Sequence, residues 1–530
     1  MFQGRFATRY LAASALAFLI HGAALSATID VPADFPTIQD AIDAAANGDC
    51  IIVQPGTYNE TLDIDLKSIS LISAQGPGAT TICGNQSCSV IRITNQIYSP
   101  VVVDGFTITG GYAKNSSASS CGGAIYCFKS LPIIINNQIV SNAADSHGGE
   151  IYCWRCTNVV IANNAIKNNL VVPSNPHGSA GSGGGVMLRE CRSASLSDNT
   201  IRNNGAGEYG AGIFLTECAA TVSGNIIAQN DVGGFPGDAC TGGGVCCEEG
   251  TTTLVNNIIV YNEAMFFGGG IAGVDDDMLL VNNTVAFNRA DLEHGGLSYV
   301  GAGDSAVEMA DMIFWKNEST NGNFEIGING KGSISYSDVE GGLAAVDIEA
   351  GSDFDWGSGM IDADPLFADS DMADFHLTAA SPCADSGLAD PPGDPLTDFE
   401  GDDRYTYQVN TEQDMGADEF FCHVYSRGSI FPGSTIELKF VGWPTDPVTL
   451  ALSDHLLSQP YWTSHGYICV GWPPLWSAPM GTIPGDGILT VPFTVPSVWS
   501  PGDEFYLQAL VGSWGGQPAR LTTVEFVLVE

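Results

Sequence analysis

Apolar residues in this chain fall in short runs rich in Ile and Val, each cut off by Gly or Asn within a few positions. Runs so short and so often interrupted are wrong for helices and read as strands. Aligned on their glycines they repeat: GGAIYCFKSLPIIINNQIVSN begins at Gly122, GGEIYCWRCTNVVIANNAIKNN at Gly148 and GGGVMLRECRSASLSDNTIRNN at Gly183. GAGIFLTECAATVSGNIIAQN at Gly210, GGGVCCEEGTTTLVNNIIVYN at Gly242 and GGGIAGVDDDMLLVNNTVAFN at Gly268 continue the series, with starts 26, 35, 27, 32 and 26 residues apart. Such self-similarity predicts a repeat architecture, and 530 residues are in any case too many for one ordinary globular core.

Each copy follows its glycines with Ile or Val and places an Asn 12 or 13 residues later, at Asn137, Asn164, Asn199, Asn225, Asn257 and Asn283. A second Asn stands five residues further on, at Asn142, Asn169, Asn204, Asn230, Asn262 and Asn288. One copy cannot bury its own apolar side. The copies are therefore expected to stack as coils, pairing strands in parallel about 4.8 Å apart, with the Asn side chains bonded to their counterparts above and below.

A stack of this kind resembles the pectin-lyase-like superfamily of right-handed parallel β-helices. The Gly-Gly starts and Asn-ended strands such as VAFN at 285 to 288 are also similar to the repeats of bacterial polymorphic outer-membrane proteins. The segment PTIQDAIDAAANGDCIIVQPGTYNE at 36 to 60 resembles the entry segment of secreted members. Here Thr37 and Asp40 make a capping box for a short helix whose Ile38, Ala41, Ile42 and Ala45 would cover the open first coil. VVVDGFTITGG at 101 to 111 reads as a further coil. Residues 362 to 387 and 414 to 420 resemble the closing segment of β-helix proteins of bacterial surfaces. After Phe421 the period stops, six of the nine tryptophans follow, and runs such as TIELKFVG and TTVEFVLVE between Pro and Gly turns suggest a small β-sandwich. The expected organisation is all-β: residues 1–26 a signal peptide, 27–420 the β-helix with its capping helix and closing segment, and 421–530 the sandwich.

The leader reading rests on Arg5 and Arg9, an apolar run too short to span a bilayer, and small residues Ala24 and Ser26 at cleavage spacing. No later stretch is long enough for a transmembrane helix. A secreted or surface-held, monomeric protein is expected. Sixty acidic residues against 18 basic, a net charge of −42, argue against nucleic acid and anionic membranes, because a phosphate binder must neutralise its ligand with Lys and Arg. The 15 cysteines suit an oxidising exterior and, being odd in number, leave one thiol over.

Candidate chemistry follows from the columns. Strand alternation points the residue after each Ile or Val outward, giving Tyr126, Tyr152, Met187, Phe214, Cys246 and Ala272, and the next residue inward. Cys127 and Cys153 then share an inward column on adjacent coils, close enough either to bond or to stack as buried thiols. Cys156, Cys191 and Cys218 form a second column, and Cys422 with Cys469 is a candidate pair in the sandwich. Phe128 and Trp154, outward again, would join Tyr126 and Tyr152 in an aromatic patch for sugar rings, with Lys129 and Arg155 placed to meet a sugar carboxylate. The alternative is that the insertion around 170 to 182 covers these rings.

One position on, the column runs Lys129, Arg155, Glu190, Glu217, Glu249, Asp275. Stacked acids must be solvated, protonated or bridged by cations, and Glu217, Glu249, Asp275, Asp276 and Asp277 are candidate calcium ligands. A polysaccharide or cell-surface glycan is the expected partner. The enzyme alternative, a polysaccharide lyase or glycoside hydrolase, would draw on Arg155, Glu190 and Glu217, but no catalytic motif of the family's lyases is legible. His147 and His294, each before a Gly-Gly start, read as equivalent exposed turns.

Overall fold

The computed structural model describes residues 27–419 except 87, 97, 114–121, 146, 147, 149, 172–180, 234–240, 323, 379, 390, 394–396, 401–403 and 405–412, and beyond them residue 483 and the strands between His423 and Leu528. The expected leader, His147 and most of the 170 to 182 insertion lie outside the described residues.

Residues 27 to 356 form a right-handed parallel β-helix. Three long parallel sheets run its length, of 13, 11 and 11 strands, and a fourth sheet has eight two-residue strands. One coil illustrates the order. Ile125–Phe128 leads to Pro132–Ile135, then Gln138–Val140, then Ala143–Ala144, and each pairs in register with the same element of the next coil. Residues pointing inward build one continuous apolar core, with Ile125, Ile134, Ile139, Ile151, Ile161 and Ile166 fully buried.

Besides the glycine three residues before the anchoring Ile or Val of each copy, three corners per coil take left-handed backbone. At the second, φ is 58° at Asn136, 56° at Asn163, 56° at Asp198, 64° at Gly224, 56° at Asn256 and 51° at Asn282, residue types that tolerate this region well. The first corner is the Lys129 to Asp275 column, where φ lies between 49° and 54° whatever the side chain. The third runs through Ser141, Asn168, Asn203, Gln229, Tyr261 and Phe287.

The two Asn series follow the second and third corners immediately and turn inward, so their amides are buried rather than solvated. In the first ladder, Asn199 donates from its backbone N and from Nδ2 to Asn225 Oδ1, both at 2.9 Å, and Asn225 Nδ2 donates onward to Asn257 Oδ1 at 3.0 Å. The second ladder runs the same way from Asn142 through Asn169, Asn204, Asn230, Asn262 and Asn288 to Asn317. It ends where Asn317 donates from N (3.0 Å) and Nδ2 (2.6 Å) to the buried carboxyl of Glu325.

The first coil of the stack is covered from within the same unit. The helix Ile38–Ala44 buries Ile38, Ala41 and Ile42 on the first coil, with Thr37 accepting from the Asp40 amide and Glu60 accepting from the amides of Ile38 and Gln39. Residues 385–418 return along the second corner. There the buried Arg404 donates to Asn256 Oδ1 (2.8 Å) and to the carbonyls of Gly416 and Ala417, while Asp311 Oδ1 accepts from the Leu388 amide.

Residues 365–384 and 419 onward form a separate compact unit. Its strands are antiparallel: His423–Arg427, Thr435–Val441 and Ile488–Thr494 make one sheet, and Pro447–Ser453 lies between Trp476–Thr482 and Glu504–Val511 in another. Leu438, Phe440, Val448, Leu450 and Ile483 are buried in it.

Candidate functional site

The first-strand sheet carries most of the sequence-predicted residues, and its register is as the repeat requires: Tyr126 opposite Tyr152, Cys127 opposite Cys153, Phe128 opposite Trp154. Tyr126 and Tyr152, however, are 3% and 4% exposed and cannot offer ring faces to a ligand. The outward column does leave the main core, but it forms a second apolar layer with Met187, Phe214, Cys246 and Ala272. Over the later coils, the stretch before the anchor covers that layer. Tyr209, Thr241, Phe267 and Glu293 pair one above another as single parallel bridges, and the Tyr209 ring stacks on Phe214 at 5.4 Å.

Phe128 and Trp154 sit two residues further along, at the strand end, and remain half-buried. Their rings lie 4.9 Å apart, with Lys129 Nζ 5.0 Å from the Phe128 centroid and the Arg155 guanidinium 5.0 Å from that of Trp154. Glu190 ties this group together, accepting from Trp154 Nε1 at 3.0 Å and from Arg155 Nε at 2.6 Å. The Arg155 and Trp154 donors hold the Glu190 carboxyl below its usual range, and Glu190 in turn raises Arg155. Neither group is therefore poised to exchange a proton near neutrality. Glu217, the third candidate for catalysis, stands exposed at its corner.

Around this platform the charge differs from the rest of the chain. Arg92, Lys129, Arg155 and Arg189 stand on the first-strand sheet or its corner on neighbouring coils, Arg155 and Arg189 beside Glu190 and Arg92 beside Asp63.

The acidic part of the corner column behaves otherwise. Glu217 and Glu249 are exposed, Asp275 Oδ1 accepts from the Ala302 amide at 2.7 Å, and Asp277 Oδ1 accepts from the Ala306 amide at 3.3 Å. Asp276 turns inward, and burial raises its carboxyl to about 6. Oxygens so divided between solvent, backbone and core do not fit a calcium shell of six to eight ligands. Among the described residues no three His, Cys, Asp or Glu converge on one point. The melting temperature is accordingly expected to be equal in millimolar calcium and in chelator; a rise of several degrees with calcium would contradict this.

Cys127 and Cys153 are buried free thiols, as are Cys156, Cys191 and Cys218, where the Cys191 amide donates to Cys218 Sγ at 3.3 Å. Cys422 and the side chain of Cys469 lie outside the described residues.

The histidine reading changes. By strand register His294 aligns with Gly268, not with the residue before it, so it is not equivalent to His147. Nor is it an exposed turn, since its side chain is 12% exposed. The available sign was a count, since His294 stands three residues before the anchor Leu297 and His147 stands four before Ile151.

Residues 76–239 match the family model described as a right handed beta helix region. No curated protein matches the chain. Among solved structures it is similar to the enzymatically active domain of tailspike protein 4 of bacteriophage CBA120, at 11% identity and a TM-score of 0.22, with 91% of this chain and 64% of that one covered. The chain thus spans somewhat less than two thirds of that structure's length. Among the described residues no helix is long and apolar enough to cross a membrane.

Proposed function

We propose that this is an exported β-helix protein that binds carbohydrate on its first-strand face, around Phe128 and Trp154. The observation that carries the reading is the pairing of two half-buried rings on adjacent coils with a cation over each, beside Glu190. Ring faces on a rigid sheet suit the apolar faces of sugars, and Lys129 and Arg155 suit a carboxylate-bearing sugar. The parallel stack supports the reading by fixing the ring spacing without any ordering on binding. The C-terminal antiparallel unit would serve attachment or secondary binding.

Retention on immobilised polyuronates and neutral polysaccharides tests this. Trp154→Ala is expected to weaken retention about tenfold, the loss of one aromatic contact of roughly 1.4 kcal/mol, with the melting temperature near that of wild type because the ring is at the surface of the stack. Equal retention by Trp154→Ala and by Phe128→Ala would reject the platform.

A further inference from the structure

His294 breaks the repeat at a position where six preceding coils keep glycine. Gly122, Gly148, Gly183, Gly210, Gly242 and Gly268 all take left-handed φ between 53° and 79°, and His294 takes 59°. The reason for glycine is steric: a Cβ at Gly242 would lie 2.6 Å from the Val245 carbonyl oxygen and 2.7 Å from Cys246 Cβ. An imidazole is thus set where coil after coil excludes a side chain, at a backbone cost of roughly 1 kcal/mol. Departures of this kind persist only where the surroundings hold them, and they gather at functional sites.

The surroundings are altered to fit. Ser298 continues the outward column, which narrows from Tyr126, Tyr152, Met187 and Phe214 to Cys246 and Ala272 before it, and the next two members in register are Gly327 and Asp347. A Cβ at residue 327 would collide with the imidazole. The ring therefore lies across Gly327, with Phe267 and Phe324 each 6.4 Å away. From there His294 Nδ1 reaches Ser298 Oγ at 3.3 Å and Nε2 reaches Asp347 Oδ2 at 3.3 Å. His294 and Ser298 from one coil and Asp347 from two coils later form one hydrogen-bonded chain.

We propose that Ser298 and His294, positioned by Asp347, hydrolyse short-chain carboxylic esters. Asp347 accepts from Nε2–H and so leaves Nδ1 free to take the Ser298 proton. Ser298 Oγ attacks the ester carbonyl carbon, its proton passes to Nδ1, and the carbon–alkoxide bond breaks as that proton moves to the departing alcohol. Water then attacks the acyl-serine, gives a proton to Nδ1, and releases the carboxylic acid as the proton returns to Ser298. Asp347 offsets the charge of the imidazolium in both halves. Ser298 is 8% exposed, so small esters, which need the least room to reach Oγ, are the substrates proposed.

The test uses the purified full chain with an alkyl fluorophosphonate probe and p-nitrophenyl acetate. The adduct is expected on the peptide containing Ser298, and hydrolysis is expected to fall at least about 100-fold in Ser298→Ala and in His294→Gly. Glycine at 294 restores the residue of the other coils, so the fold is retained and the comparison stays meaningful. Asp347→Asn is expected to lower kcat roughly 10²- to 10⁴-fold with KM unchanged, which a merely structural contact would not do. No adduct on Ser298, or turnover that survives Ser298→Ala, would overturn the proposal. Neither probe contains a sugar, so this outcome is separate from that of glycan retention.

Discussion

Asn225→Ala is expected to destabilise the coil stack by about 2–6 kcal/mol, a large share of the stability of many domains. The Asn225 amide accepts twice from Asn199 and donates to the Leu196 and Ser223 carbonyls and to Asn257 Oδ1. Truncation leaves the Asn199 N–H and one Nδ2 hydrogen of Asn199 buried without an acceptor, each costing roughly 1–3 kcal/mol, and no solvent reaches the site because Asn225 is 0% exposed. Urea unfolding measures the loss. Asn203→Gly, at an exposed left-handed corner one residue from the second ladder, is the matched control and should be neutral or slightly stabilising. A loss under about 1 kcal/mol for Asn225→Ala would mean that the ladder contributes no more than surface amides do.

The second large effect is a stability that falls as pH rises. Burial raises Glu325 to about 8, Asp311 to about 7, Glu248 to about 7 and Asp276 to about 6, and it drives Glu150 up as well. A carboxyl whose folded value lies above its unfolded one binds more protons in the native state between the two values. Stability is then complete below about pH 4.5, declines through the interval, and levels off above the folded value. The melting temperature should therefore drop between pH 5 and pH 8, opposite to acid denaturation, and self-repulsion from a net charge of −42 acts in the same direction. Glu325 faces Asn317 and Glu340 and contributes at most about 4–5 kcal/mol. Glu325→Gln should flatten the upper part of the profile, with little change at pH 5. Parallel profiles for the two proteins would show that Glu325 does not titrate as its burial implies.

How far the sequence disclosed all this differs between its corners. The second corner advertises itself, because Asn, Asp and Gly are the residues that enter left-handed backbone most readily, and the buried Asn beside each was visible as a fixed spacing. The first corner does not: Lys129, Arg155, Glu190, Glu217, Glu249 and Asp275 carry no signal for φ near 50°, so a backbone column looked like an ionic one. The aromatic patch was half legible. Alternation placed Tyr126 and Tyr152 correctly outside the main core, but a period of two says nothing of a second layer, and that layer is built by Tyr209, Thr241 and Phe267 from the least regular part of each coil. His294, Ser298 and Asp347 are spread over 54 positions and meet only because coils bring residues two turns apart within reach of one imidazole.

The ladders have one more property, which is direction. Every step has its donor in the earlier coil and its acceptor in the later one, from Gly111 N to Asn142 Oδ1 through to Asn317 and Glu325. The amide dipoles therefore add head to tail like the peptide dipoles of an α-helix, with the positive pole toward the later coils, where the Glu325 carboxyl lies. The stack has an electrical polarity built from side chains alone. A partial stack ending at any intermediate coil would present bare donors, so each coil, once formed, is a template that accepts a successor in only one orientation.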